Sequence, residues 1–147
     1  MPHFGLIDEN LSEIEKLLLR ARLHVRGGKI RIKLNRVSDG IAALYDAMIH
    51  AFYWFFLKDD ELKPLLCDNH GNYKDEDHLY NILISLGKIN RGFNMKTFLK
   101  LSEMALNNEV NDYDYKELLK NYNHLMEQLG VIPYDEEKLP KGTPITL

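Results

Sequence analysis

Hydrophobic positions recur at three- and four-residue steps along most of this chain, the period of an amphipathic α-helix. Asn10 with Glu13, and Ser12 with Glu15, both have capping-box spacing at the start of a first helix. Leu11, Ile14, Leu17, Leu18, Ala21 and Val25 follow on one face, and Gly27 and Gly28 are the expected stop. Helical spacing resumes from Lys29 with Ile30, Leu34, Val37, Ile41, Leu44 and Met48. A short strand over Ile30, Ile32 and Leu34 is the alternative, and Ser38-Asp39-Gly40 predicts a kink or restart. Further on, Asp75 reads as the cap of a third helix carrying Leu79, Ile82, Leu83 and Leu86. Met95, Phe98, Leu99, Leu101 and Met104 mark a fourth. Asp114 with Glu117 reads as a capping box for the last helix, where Leu118, Tyr122, Leu125, Met126 and Leu129 repeat. Gly130 and Pro133 end it.

The densest apolar stretch is residues 41–57, IAALYDAMIHAFYWFFL. Placed at about 100° per residue, it sorts into two unequal faces. Ile41, Leu44, Tyr45, Met48, Ala51, Phe52, Phe55 and Phe56 fill a wide apolar face. Asp46, His50 and Tyr53 line a narrow polar stripe, flanked by Ala42, Ala43 and Trp54. Each buried aromatic removes about 150–250 Å² from water, worth roughly 4–6 kcal/mol before entropy. So much apolar surface predicts a central bundle helix, with a second copy of the chain covering what one small bundle leaves bare. As a membrane span the stretch is short: seventeen helical residues reach about 25 Å against a hydrocarbon core of about 30 Å. Asp46 near its middle would add about 2.5–3.5 kcal/mol to insertion, so no membrane association is expected.

With 147 residues and 45% apolar content, the chain fits a single all-α domain, a four- to five-helix up-and-down bundle. Its core is expected over about 10–130, with an extended tail over 131–147. The formal net charge of −3 excludes a bulk polyanion binder. The charge is uneven, however: residues 20–36 hold seven cations and no acid, whereas residues 103–117 hold five acids against Lys116. One cysteine, Cys67, makes neither an internal disulfide nor a thiolate zinc site, and the start MPHFGLIDEN lacks a signal-peptide pattern. A cytoplasmic protein is expected.

Asp46 and His50 stand four residues apart and therefore share a helix face. A carboxylate beside an imidazole orients it and raises its pKa, which suits acid–base chemistry or metal binding; the plainer reading is a semi-buried pair satisfying each other. The candidate catalytic set is Asp46, His50 and Tyr53. The candidate nucleic-acid contacts are Arg22, Arg26, Lys29, Arg31, Lys33 and Arg36, with a solvated face balanced by the acidic stretch as the alternative. No phosphate loop, serine elbow or Cys–His pair is present, and no cofactor is implied. Carboxylate-bridged metal bundles need Glu-x-x-His on two helices; Asp75-x-x-His78 is the nearest approach, so no metal site is assigned.

Two segments carry a family likeness. LYDAMIHAFYWFF, residues 44–56, resembles the HEPN-domain helix that reads approximately Tyr-Tyr-Ala-x-x-His-Ala: Tyr45, Ala47, His50 and Ala51 match, and Asp46 replaces the second tyrosine. NDYDY, residues 111–115, resembles the Ala-Asp-Tyr stretch before the final helix of many members. The resemblance covers about 10–130 in outline. It implies a helical bundle, commonly dimeric, linked to nucleotidyltransferases, toxin systems or RNA cleavage. Members that cleave RNA carry an Arg followed a few residues later by His at the helix break. Here Asn107 and Asn108 stand there with no His after them, and Arg20 to His24, the similar spacing, lies in the first helix. The resulting expectation is a non-catalytic HEPN-like interaction module, homodimeric, with a nucleotidyltransferase or RNA as partner. The alternatives are a ribonuclease or nucleotide-acting enzyme using Asp46, His50 and Tyr53 with Arg36 as phosphate ligand, and a bundle binding metal at Asp46 and His50.

Overall fold

A capping box opens the first helix, α1 (Glu13–Lys33): Ser12 accepts from the Glu15 amide while Glu15 accepts from the Ser12 amide, both at 3.1 Å. The computed structural model describes residues 10–110 and 114–140. Gly27 and Gly28 do not end α1, contrary to the sequence expectation, and the Ile30–Ile32–Leu34 alternation is helical rather than strand. The chain turns instead at Asn35, whose φ of 63° lets the Asn35 and Arg36 amides reach back to Ile32 and Arg31. The second helix, α2 (Val37–Leu57), then runs antiparallel to α1, and Ser38-Asp39-Gly40 lies within its first turn without a kink.

The two glycines serve packing. A Cβ on Gly28 would lie 2.8 Å from the Leu44 side chain and 3.0 Å from the Gly40 carbonyl oxygen. A Cβ on Gly40 would collide with Ile32 and sit 2.7 Å from the Gly28 carbonyl oxygen. The helix backbones therefore meet at a spot where no side chain fits. Local sequence reading assigns a Gly pair to a helix end; here the gain from interhelix contact outweighs a propensity cost of about 1 kcal/mol per glycine.

The three shorter helices are α3 (Glu76–Ser85), α4 (Met95–Ala105) and α5 (Lys116–Gln128). Asp75 caps α3 through the His78 amide, as expected, and Asn94 caps α4 through Thr97. The capping box expected from Asp114 and Glu117 does not form; Asp114 accepts from the Lys116 amide instead. Asn111, Asp112 and Tyr113 of NDYDY lie outside the described residues. Among the described residues there is no strand, only an isolated bridge between Cys67 and Tyr73. The chain is an all-α bundle.

One apolar core joins all five helices. On α2, Ile41, Leu44, Met48, Ala51, Phe52 and Phe56 are fully buried, six of the eight positions expected on the apolar face, while Tyr45 and Phe55 are half-buried. Tyr122 of α5 packs edge-on against Phe93 and tilted against Phe98, and donates its hydroxyl to the Leu44 carbonyl at 2.6 Å. Phe55 and Trp54 are half-buried, with the Lys58 ammonium 4.7 and 4.9 Å from their rings. By length and composition α2 is apolar enough to cross a membrane, yet half of its most apolar window is buried within the fold.

Gly130, with φ of 82°, ends α5 by returning the Gly130 and Val131 amides to Glu127 and Met126. The segment that follows, expected as an extended tail, lies against α1 as far as it is described. Val131 and Leu139 are buried, and Glu136–Lys138 form a single 3-10 turn. The reason is ionic and polar: Arg22 and Arg26 on α1 offer guanidinium donors to its carbonyls and to Glu136.

Substituting Gly40→Ala destabilises the protein by about 1–3 kcal/mol through overpacking, despite its better helix propensity. Gly92→Ala, where an added Cβ meets nothing, stays within about 0.5 kcal/mol of wild type. Urea unfolding of the two variants checks the contrast.

Candidate functional site

The stripe of Asp46, His50 and Tyr53 on α2, and Tyr45 beside it, face different neighbours. Tyr45 is half-buried and donates its hydroxyl to Glu76 Oε1 at 2.9 Å. Asp75 fixes the first turn of α3 and so holds Glu76 in place. Burial, and then the hydrogen bond to Glu76, push the Tyr45 phenol well above its ordinary range. Tyr53 lies two turns further on, with its ring 4.5 Å from that of Tyr73. Burial first, then the charge of Glu76, raise its pKa as well.

Asp46 borders a cleft of about 390 Å³ between α2 and α4, lined by Ala42, Tyr45, Asp46, Leu99, Ser102, Glu103 and Leu106. Ser102 is turned inward, donating to the Phe98 carbonyl at 2.8 Å. The Asp46 carboxyl is pushed up by partial desolvation, with the neighbouring His50 pulling it back down. Asp46 is exposed, so the shift carries little energy.

His50 bonds to the backbone of Asp46: Nδ1 lies 2.7 Å from the Asp46 carbonyl oxygen. A carbonyl can only accept, so Nδ1 carries the proton and Nε2 is the nitrogen left for chemistry. The ring stacks on His24 of α1, centroids 5.6 Å apart and planes 18° from parallel. Asp46, His50 and Tyr53 thus each turn to a separate element: α4, α1, and the loop before α3.

The six candidate nucleic-acid contacts are dispersed in a similar way. Arg22 donates from Nε to the Val131 carbonyl at 2.9 Å, and burial lowers its pKa. Arg26 pairs with Glu136 at 3.0 Å and also reaches the Pro140 carbonyl. Arg36 grips Asp39 Oδ2 from Nη2 at 2.6 Å. Arg31 is 6% exposed, and burial lowers its pKa, with the nearby Arg36 charge adding to the effect. Lys29 is half-buried, and burial lowers its pKa too. Lys33 is exposed at the hairpin turn.

Among the described residues, no three His, Cys, Asp or Glu side chains converge as metal ligands. The Asp75–His78 pair closes on itself at 3.2 Å on the surface. Sequence reading missed the Tyr45–Glu76 bond, the His24 stack and the α2–α4 cleft. Of these, the cleft had a local signal: Leu99 and Leu106 lie seven residues apart, on one side of the fourth helix and its following turn. No protein-family model, curated protein or solved structure matches the chain.

The Asp46 shift sets a pH dependence. A carboxyl whose folded pKa exceeds its unfolded value holds its proton more tightly in the native state. Its contribution is complete below the unfolded value, near 3.8, and is lost as pH rises through the folded one. Wild type therefore loses a little stability relative to Asp46→Asn as pH rises out of the carboxylate range. Urea titrations of both proteins at several pH values check this; a flat difference would mean Asp46 titrates as a fully solvated acid.

Proposed function

We propose that this chain is a non-catalytic, HEPN-like interaction module: a helical bundle that acts as a homodimer beside a nucleotidyltransferase or RNA. The observation that carries the reading is the dispersal of the stripe groups. Asp46 borders the α2–α4 cleft, His50 bonds to the Asp46 backbone carbonyl and stacks on His24 of α1, and Tyr53 packs on Tyr73. General acid–base catalysis needs such groups converging on one reacting atom. The family likeness adds support, since Tyr45, Ala47, His50 and Ala51 all belong to α2. The Arg–His pair of RNA-cleaving members is absent from its usual place, where Asn107 and Asn108 stand in the turn after α4.

A second reading, a ribonuclease or nucleotide-acting enzyme, draws on the stack of His24 against His50. Two imidazoles side by side can divide the acid and base roles in phosphodiester cleavage. Arg36, its intended phosphate ligand, is held by Asp39.

Incubation of the purified protein with labelled single-stranded RNA and with nucleoside triphosphates separates the two. The module reading expects no turnover above buffer. Turnover that His50→Ala or Asp46→Ala abolishes, in a variant with an unchanged melting curve, would establish the enzyme instead.

A further inference from the structure

We propose that a second copy of this chain seats its hairpin tip, Leu34 with Lys33, in the cleft between α2 and α4. The inference rests on the homodimeric module reading and names the surface that would make the dimer. The cleft has an apolar floor of Ala42, Leu99 and the Tyr45 ring, and Leu106 beside it is 77% exposed. Two carboxylates, Asp46 and Glu103, stand at its edge, and no cation lines it. Its complement is an apolar side chain next to a cation.

That combination stands at the α1–α2 turn. Leu34 is 54% exposed and follows Lys33, which is exposed as well. The turn is rigid enough to present them: Asn35 takes φ of 63°, and the Asn35 and Arg36 amides bond back to Ile32 and Arg31 at 3.0 and 2.8 Å. Leu34 and Leu106 are two of the four exposed large hydrophobic side chains among the described residues. Pairing them across copies covers both.

The proposed contact is a closed, two-fold one. Ala42 lies five residues into α2 from Val37, about 7.5 Å along the helix at 1.5 Å per residue. Knob and cleft therefore sit at the same end of the hairpin. A two-fold axis between them lets each copy insert its tip in the other, so the contact is reciprocal.

Analytical ultracentrifugation across a concentration series tests the proposal on the full chain. Wild type is expected to pass from monomer to dimer. Leu34→Asp and Leu106→Asp, both on exposed sites, each weaken the dimer by about a hundredfold while the far-UV circular dichroism of the chain stays helical. Lys33→Glu and Glu103→Lys each weaken it about tenfold through like-charge contact, and the double reversal recovers to within about threefold of wild type. A chain that stays monomeric throughout overturns the proposal, leaving the cleft to a foreign basic helix or a small amine. A dimer indifferent to Leu34→Asp and Leu106→Asp, or a double reversal no better than its parents, overturns it too. A chain that stays monomeric also removes the homodimer from the module reading, whereas a dimer indifferent to these substitutions overturns this proposal alone and leaves that reading standing; the turnover assay tests its non-catalytic part independently.

Discussion

The backbone approach of α1 to α2 at Gly28 and Gly40 is the constraint on which the rest of the molecule depends. Two helices of 21 residues each lie along one another because neither carries a Cβ at that crossing. Close approach lets Ile32 and Leu44 fill the space beside the glycines, and brings Ala21, Val25, Ile41 and Ala47 into one buried seam. Packing of this density is intolerant of an added methyl group, since interiors have little spare volume. The hairpin then acts as a platform. Its exposed apolar face on α2 receives α3, α4 and the aromatic cluster around Phe93, Phe98 and Tyr122.

The chemistry of the polar stripe follows from that platform. A helix that gives its wide face to the core has only a narrow strip left, and every element packed nearby takes part of it. The loop before α3 packs Tyr73 on Tyr53, α1 brings His24 against His50, and α4 shares a cleft with Asp46. Groups that share a face within one helix are thereby directed to different partners. The result is separate local contacts and, beside Asp46 and Glu103, a cleft that is apolar at its floor and negative at its edge.

The basic run of α1 has a parallel history. Three of its cations are engaged by other parts of the chain. Arg22 and Arg26 hold residues 130–140 against α1, and Arg36 closes on Asp39 at the start of α2. Arg31 is buried and Arg22 and Lys29 half-buried, and that burial depresses the pKa of all three.

Sequence by itself determined the helical class, because hydrophobic spacing is a local property that packing preserved. The apolar face of α2, the Asp75 cap and the stop at Gly130 were all legible, each depending on residues within a turn or two of one another. Tertiary structure decided what lies between distant segments. Gly27–Gly28 reads locally as a helix end, and only Gly40 across the hairpin makes it an interior crossing. Asp46 and His50 read as a carboxylate–imidazole pair from their spacing. The rotamer of His50, stacked on His24 with Nδ1 at a backbone carbonyl, was set by a helix some 26 residues earlier in the chain. Likewise the fate of Arg22 and Arg26 rested on carbonyls more than a hundred residues away. Local propensity carries no information about such partners, since a side chain's bonds are chosen by what the fold brings within about 3 Å.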